Sequence, residues 1–399
     1  MTHPLYVTQP SLPPLEQFTE VLGDIWSRKW LTNNGHYHRE LEQALAEYLG
    51  VEYVSLFCNG TIALQVGLQA LEISGEVITT PFSFPATTHA LHWNRCMPVF
   101  CDVDPNTGNL DPEQIERAIS DSTTAILPVH VYGTPCDVDA IREIADRHGL
   151  KVLYDAAHAF NVKIGSRITE VGTQNSELRT QNSESGTQNS EPGTSILNFG
   201  DLSMLSFHAT KVYNTIEGGA LIANSAEMKQ RIDRLKNFGF VSEAEVCEAG
   251  TNGKMNEVQA AYGLLQLKTV DEQIARRLER AEQYRERLKD VPGLRLLDLP
   301  AGLQPNGSYF PVFIDANEFG MTRDALYDAL KEQGIFARRY FHPLISEFPM
   351  YQGCQGASPE NLPNATKISR EVLCLPLFAD MTEADVDRVT NAIQKSANA

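Results

Sequence analysis

Long apolar stretches are missing from this chain of 399 residues, so no segment is a candidate for spanning a membrane. Paired cysteines are missing too. The seven stand at 58, 96, 101, 136, 247, 354 and 374, an odd number without a Cys-x-x-Cys pair, which argues against a disulfide framework and a structural zinc site. His36 and His38 lie close together, but no acidic or cysteine partner completes a metal-binding spacing, and no metal is expected. Positive charge is scarce: 33 Lys and Arg oppose 51 Asp and Glu, for a net −18. That balance disfavours nucleic acid and anionic membrane surfaces as partners. The start of the chain has no basic region leading into an apolar one, so a reducing, cytoplasmic setting is expected.

What is present is an α/β pattern. Strand-like runs at 76–80, 98–103, 125–129 and 151–154 alternate with helical spacing. Leu15, Phe18, Leu22, Ile25 and Trp26 share one helix face behind Pro13-Pro14. A second helix from about Asp137 turns Ile141, Ile144 and Ala145 inward and stops at Gly149. Repeated strand–helix–strand units imply a mostly parallel sheet covered on both faces, with ligands at the carboxyl ends of its strands. Parallel α/β patterning alone would also suit a nucleotide-binding oxidoreductase, but no Gly-x-Gly-x-x-Gly follows an early strand. Residues 256 to about 290 lack proline and read as one long connecting helix. Beyond it a strand at 309–314, a helix from Thr322, a strand near 335–338 and a closing helix with a capping box at Thr382–Asp385 describe a smaller α+β unit. The division predicted is a large domain of residues 1–265 and a small one of 266–399.

Four segments carry chemistry. Lys211 follows the run 203–207 and precedes Gly218-Gly219 and the run 220–223, so it sits on a tight loop between two strands. A lysine held there is placed to attack a carbonyl, because a low-polarity setting disfavours its ammonium. By itself the loop suits a phosphate-binding or solvent-facing lysine equally well. Asp155 ends the apolar run 152–154 and is followed by His158. Such an acid is either a helix cap or the partner of a cation, and a protonated pyridine nitrogen is one such cation. Lysine, carbonyl and pyridinium together describe pyridoxal phosphate. Asn59-Gly60-Thr61 opens an apolar-periodic helix and suits an anion, although many helices begin this way. Pro81-Phe-Ser-Phe84 is an aromatic loop suited to stacking on a flat ring or to core packing.

In this order the segments resemble the DegT/DnrJ/EryC1/StrS family of nucleotide-sugar aminotransferases, which have the aspartate-aminotransferase fold. The resemblance also takes in Pro98–Asp104, Pro128–Gly133, Asp155-Ala-Ala-His158, Ser206–Lys211 and Asn252–Ala261. Val7–Pro14 and Leu31–Gly35 are similar to a narrower subgroup, the TDP-viosamine-forming 4-aminotransferases. It implies that Lys211 binds pyridoxal phosphate and moves a proton, that Asp155 pairs with the pyridine nitrogen, and that His158 lies near the phenolic oxygen. Phe84 would stack on the ring. Gly60, Thr61 and Ser206 would hold the phosphate, joined by Asn252 of a neighbouring copy in a homodimer with shared sites. Some members carry histidine at the lysine position and act as dehydratases; lysine here favours transamination. Glutamate would be the donor and a nucleotide-linked keto-sugar the acceptor, with C4 of dTDP-4-dehydro-6-deoxyglucose preferred, amination at C3 the near alternative, and an inactive cofactor-binding regulator a third. For the substrate diphosphate the candidates are Arg338-Arg339 and the group Arg231, Arg234 and Lys236; for the sugar, Asn34 and His342.

One stretch departs from the resemblance. Thr-Gln-Asn-Ser-Glu recurs at 173–177, 180–184 and 187–191 without the apolar positions of a coiled coil. Residues 167–194 therefore read as a low-complexity surface insertion. It stretches the interval from Asp155 to Lys211 to 56 residues (211 − 155), about double what the resemblance implies.

Overall fold

The structure is a computed structural model and describes residues 3–165 and 193–397. Its centre is a seven-stranded sheet in the order Tyr53–Phe57, Gly219–Ala223, Leu202–Ser206, Lys151–Asp155, Thr123–Leu127, Glu76–Thr79 and Met97–Phe100. All strands run parallel except Gly219–Ala223, which is antiparallel to both neighbours. The exception has a local cause. Only twelve residues separate it from Leu202–Ser206, too few for a covered crossover but enough for a folded-back loop.

Side chains alternate across this sheet. Val152 and Tyr154 face one layer of helices and Leu153 the other, and helices His36–Leu49 and Val138–His148 cover the first face. On the opposite face lies Gly60–Ala70, whose Ala63, Leu64 and Leu68 are fully buried. The predicted helix behind Asp137 is present as Val138–His148: Asp137 accepts a bond from Ala140 N, and Gly149 closes it in the left-handed region at φ 65°.

Two expectations need correction. The stretch 256–290 is two helices, Glu257–Leu267 and Val270–Leu288, separated at Lys268-Thr269. The first is a buried element packed on His36–Leu49, while the second leans on the C-terminal helix, so one straight rod could not serve both surfaces. The helix at 15–28 forms, yet of its predicted apolar face only Ile25 is buried; Leu15 and Trp26 are exposed, Trp26 by 66%.

Glu257 ties the first of those helices to the next layer. Its carboxylate is 1% exposed and accepts from the backbone amides of Tyr37 and His38, both at 2.9 Å. These amides open the His36–Leu49 helix, where a negative charge is favoured. Gly35 lies against it: a Cβ there would come within 2.6 Å of Oε1.

The C-terminal unit has its own sheet, with Phe310–Ile314 between Leu294–Leu296 and Val372–Leu375. Its closing helix, Glu383–Ala397, buries Val386, Val389 and Ile393. Asp385 and Thr382 exchange bonds at its start, as the capping pattern predicts. Leu5 joins this core through the parallel pairing of Leu5–Tyr6 with Ile335–Phe336.

The predicted insertion 167–194 lies almost wholly outside the described residues. Its flanks do not: Lys163–Ile164 pairs antiparallel with Thr194–Ser195, so Thr194 belongs to a strand. Neither flank lines the cavity described next.

Candidate active site

Asp155, Ser206 and the turns after Phe57 and Thr79 all lie at the carboxyl edge of the parallel strands. They surround a cavity of about 280 Å³ that the C-terminal unit closes with Tyr309, Arg338, Tyr340 and Phe341. Lys211, Asp155, His158, Gly60, Thr61, Phe84 and Ser206, each expected at a site from sequence, line this one space.

The lysine loop is held from both ends. Phe207 N donates to Gly218 O at 2.8 Å, and Ala209 N to Ile216 O at 2.8 Å. Directly after Lys211, Val212 and Tyr213 are buried, and Tyr213 stacks on Phe160 with centroids 4.5 Å apart. The amine lies 5.9 Å from the Tyr309 ring centre. Burial lowers its pKa from 10.5 to about 8, and Asp155 opposes the fall.

Asp155 is 4% exposed. Burial raises its pKa, while bonds from Thr87 and the Ala157 amide and the charge of Lys211 pull the other way. His158 accepts from the Tyr132 amide through Nδ1 at 3.3 Å and stacks on Phe341 at 5.9 Å. Burial first, and Lys211 second, keep it neutral.

An anion cradle lies opposite. Asn59 caps the Gly60–Ala70 helix by accepting from Ile62 N at 2.9 Å, leaving the Gly60 and Thr61 amides at an open N-terminus. The backbone comes unusually close here, since a Cβ on Gly219 would stand 2.7 Å from both Cα and N of Gly60. Phe84 projects into the cavity 54% exposed, with a face free for a flat ring. A buried acid, an adjacent low-pKa lysine, an exposed aromatic face and a helix N-terminus together fit pyridoxal phosphate.

The sequence model of the DegT/DnrJ/EryC1/StrS aminotransferase family matches residues 15–394. The chain belongs to this family. A Shigella dysenteriae relative, dTDP-4-amino-4,6-dideoxy-D-glucose transaminase, is 47% identical over 99% of this chain and 100% of its own. Among solved structures, the aminotransferase-family chain resembles DesI in the presence of its TDP-sugar product, at TM-score 0.88 and 35% identity, covering 100% of this chain and 94% of the other. It also resembles ntda from Bacillus subtilis with bound cofactor PMP, at TM-score 0.81 and 27% identity over 96% and 82% of the two chains.

Three expected residues do not line this chain's own cavity, among them Asn252, whose expected place is the site of a neighbouring copy. Asn252 is exposed and away from the cavity of its own chain. Asn34 is exposed, its carbonyl accepting from Arg39 at 2.8 Å. His342 faces solvent with Nδ1 3.1 Å from the Ser369 hydroxyl, although its neighbours Tyr340 and Phe341 line the cavity. The basic group Arg231, Arg234 and Lys236 is taken up by carboxylates. Lys236 meets Asp233 at 2.8 Å and Glu42 at 3.2 Å, and Arg231 meets Glu72 and Glu248. Arg339 pairs with Asp324 at 2.9 Å. Arg338 alone of these candidates lines the cavity, 5.5 Å from the Tyr340 ring centre.

Sequence reasoning missed Thr87, Glu217, Tyr309, Tyr340 and Phe341. Tyr309, Tyr340 and Phe341 come from the C-terminal unit and arrive by long-range packing, for which the local pattern carries no signal. Among the described residues no helix is long and apolar enough to cross a membrane.

Proposed function

We propose that this aminotransferase uses pyridoxal phosphate to move an amino group from glutamate to C4 of dTDP-4-dehydro-6-deoxyglucose, giving dTDP-4-amino-4,6-dideoxyglucose. The observation that carries the reading is Lys211 beside Asp155 in one cavity, with an open helix N-terminus opposite. The name of the Shigella dysenteriae relative supports the sugar and the position aminated. When bound, the cofactor supplies an aldehyde and a protonated ring that draws electrons from the bond being broken.

The chain's own residues do the rest. Lys211, with a pKa near 8, is neutral in part at physiological pH and so serves as nucleophile and then as proton carrier. Asp155 would keep a proton on the ring nitrogen, and its burial strengthens that pairing. The Gly60 and Thr61 amides with the Ser206 hydroxyl would bind the phosphate, and Phe84 would cover the ring. Arg338 offers the substrates' anionic groups a cation that lines the cavity beside the Tyr340 ring. The exposed Asn252, with Phe238, Phe240 and Val246 exposed nearby, suits a second copy completing the phosphate site in a homodimer.

The test is an absorbance spectrum of the purified chain with pyridoxal phosphate, before and after glutamate, beside Lys211→Ala. A visible band that glutamate bleaches and the dTDP-keto-sugar restores is expected, and the variant should lack it. A wild-type chain that gains no such band rules the reading out.

A further inference from the structure

A short polar chain runs behind Asp155. The Thr87 hydroxyl donates to Asp155 Oδ2 at 2.7 Å, and the Ser83 hydroxyl lies 2.8 Å from Thr87 Oγ1. The Ala157 amide donates to the other oxygen, Oδ1, at 3.1 Å. Thr87 is fully buried and Ser83 nearly so. With Thr87 donating to the carboxylate, its own oxygen accepts from Ser83, so the two hydroxyls point the same way and reinforce one another.

The placement of Thr87 leaves it little freedom. It lies in the first turn of the Pro85–Trp93 helix, and its own amide donates to Phe84 O at 3.2 Å. Its hydroxyl is held by its two buried partners, Asp155 on one side and Ser83 on the other. The same turn carries Phe84, so one short segment sets both the acid and the aromatic face of the cavity. Ser83 and Asp155 line the cavity, whereas Thr87 stands behind the carboxylate and does not.

We infer that Thr87, supported by Ser83, is a positioning residue that fixes the Asp155 carboxylate toward the ring nitrogen of the cofactor. The inference rests on the proposed use of pyridoxal phosphate. Each carboxylate oxygen has one protein donor, and each keeps a lone pair for a further partner. Without the Thr87 hydroxyl, Oδ2 would be a buried charged oxygen lacking its donor, free to rotate and easier to protonate. The ring nitrogen would then share its proton with a weaker and less well aimed acid.

The experiment compares wild type, Thr87→Val, Thr87→Ser, Ser83→Ala and Asp155→Asn as holoenzymes. Two quantities are read: the pH midpoint of the visible cofactor band, and the dissociation constant for pyridoxal phosphate. Thr87→Val should move the midpoint toward that of Asp155→Asn and weaken cofactor binding by roughly ten- to a hundredfold. Thr87→Ser should restore both, and Ser83→Ala should shift both less, in the same direction. A Thr87→Val protein with the wild-type midpoint and affinity overturns the inference while leaving the cofactor reading intact. So does a serine variant that matches valine, because the hydroxyl would then be irrelevant. A wild-type chain without a band overturns both.

Discussion

Raising the pH from about 6 to about 10 should switch on the nucleophile of this site with a midpoint near that of Lys211, about 8, and not at the ordinary lysine value of 10.5. The size of the effect follows from the shift. With a pKa of 8, about one amine in ten is neutral at pH 7, against about three in ten thousand for an unperturbed lysine, an enrichment of roughly 300-fold. Burial causes the fall and Asp155 resists it, so the two can be separated by substitution. Asp155→Asn removes the opposing charge and should move the midpoint below that of wild type, making the amine more available at neutral pH. Turnover in the same variant should drop, because the ring nitrogen would lose its acid. Uptake and turnover therefore move in opposite directions. The assay is the initial rate at which cofactor-free protein gains the visible band of the lysine-bound cofactor, measured across the pH range. A wild-type midpoint near 10, or an Asp155→Asn midpoint above that of wild type, would refute the argument.

Other features yield tests of their own. Gly219→Ala places a Cβ 2.7 Å from the Gly60 backbone and should loosen the phosphate cradle, with a loss of about 1–3 kcal/mol in stability and weaker cofactor retention by titration. Glu257→Ala strands the Tyr37 and His38 amides in a buried site; urea unfolding should register roughly 2–4 kcal/mol. His130 is buried against Tyr154 and held neutral, its pKa lowered by burial from 6.5 to about 3. The unfolded chain takes up a proton in that window and the folded chain does not, so this contribution is complete above pH 6.5 and falls by roughly 1.4 kcal/mol per unit as the pH drops toward 3. His130→Asn should remove that slope from a series of urea midpoints. In the proposed homodimer, mixing Lys211→Ala with Asn252→Ala should regain about a quarter of the wild-type activity, since half the dimers would be mixed, each with one intact site. No recovery after subunit exchange would mean that the two residues serve the same chain's site.

The parts of this molecule that sequence reveals are those encoded locally. The strand ending at Asp155, the cap at Asn59 and the loop carrying Lys211 each have turn chemistry and apolar runs within ten residues of the functional side chain. Tyr309, Tyr340 and Phe341 reach the cavity only because the C-terminal unit docks over the sheet edge, and no local pattern reports where that unit will sit. Thr87 was hidden for another reason. It lies in a segment whose visible signal is the aromatic Phe84, and a hydroxyl pointing at a carboxylate 68 positions away leaves no mark on periodicity. The Leu15–Arg28 helix shows the converse. Its spacing marks one apolar face, but periodicity records that a face is apolar and not which surface covers it.

Distance along the chain is a poor ruler for this fold. Asp155 and Lys211 stand 56 positions apart, yet within that interval Ile164 and Thr194 are paired across a single ladder. Neighbouring strands are separated by only about 5 Å, so the gap between them is the width of a single ladder step. Length can be added or trimmed there while the acid and the amine keep their positions. A two-residue turn joining Gly165 to Gly193 should leave the acid and the amine in place, and the shortened chain should still gain the visible cofactor band.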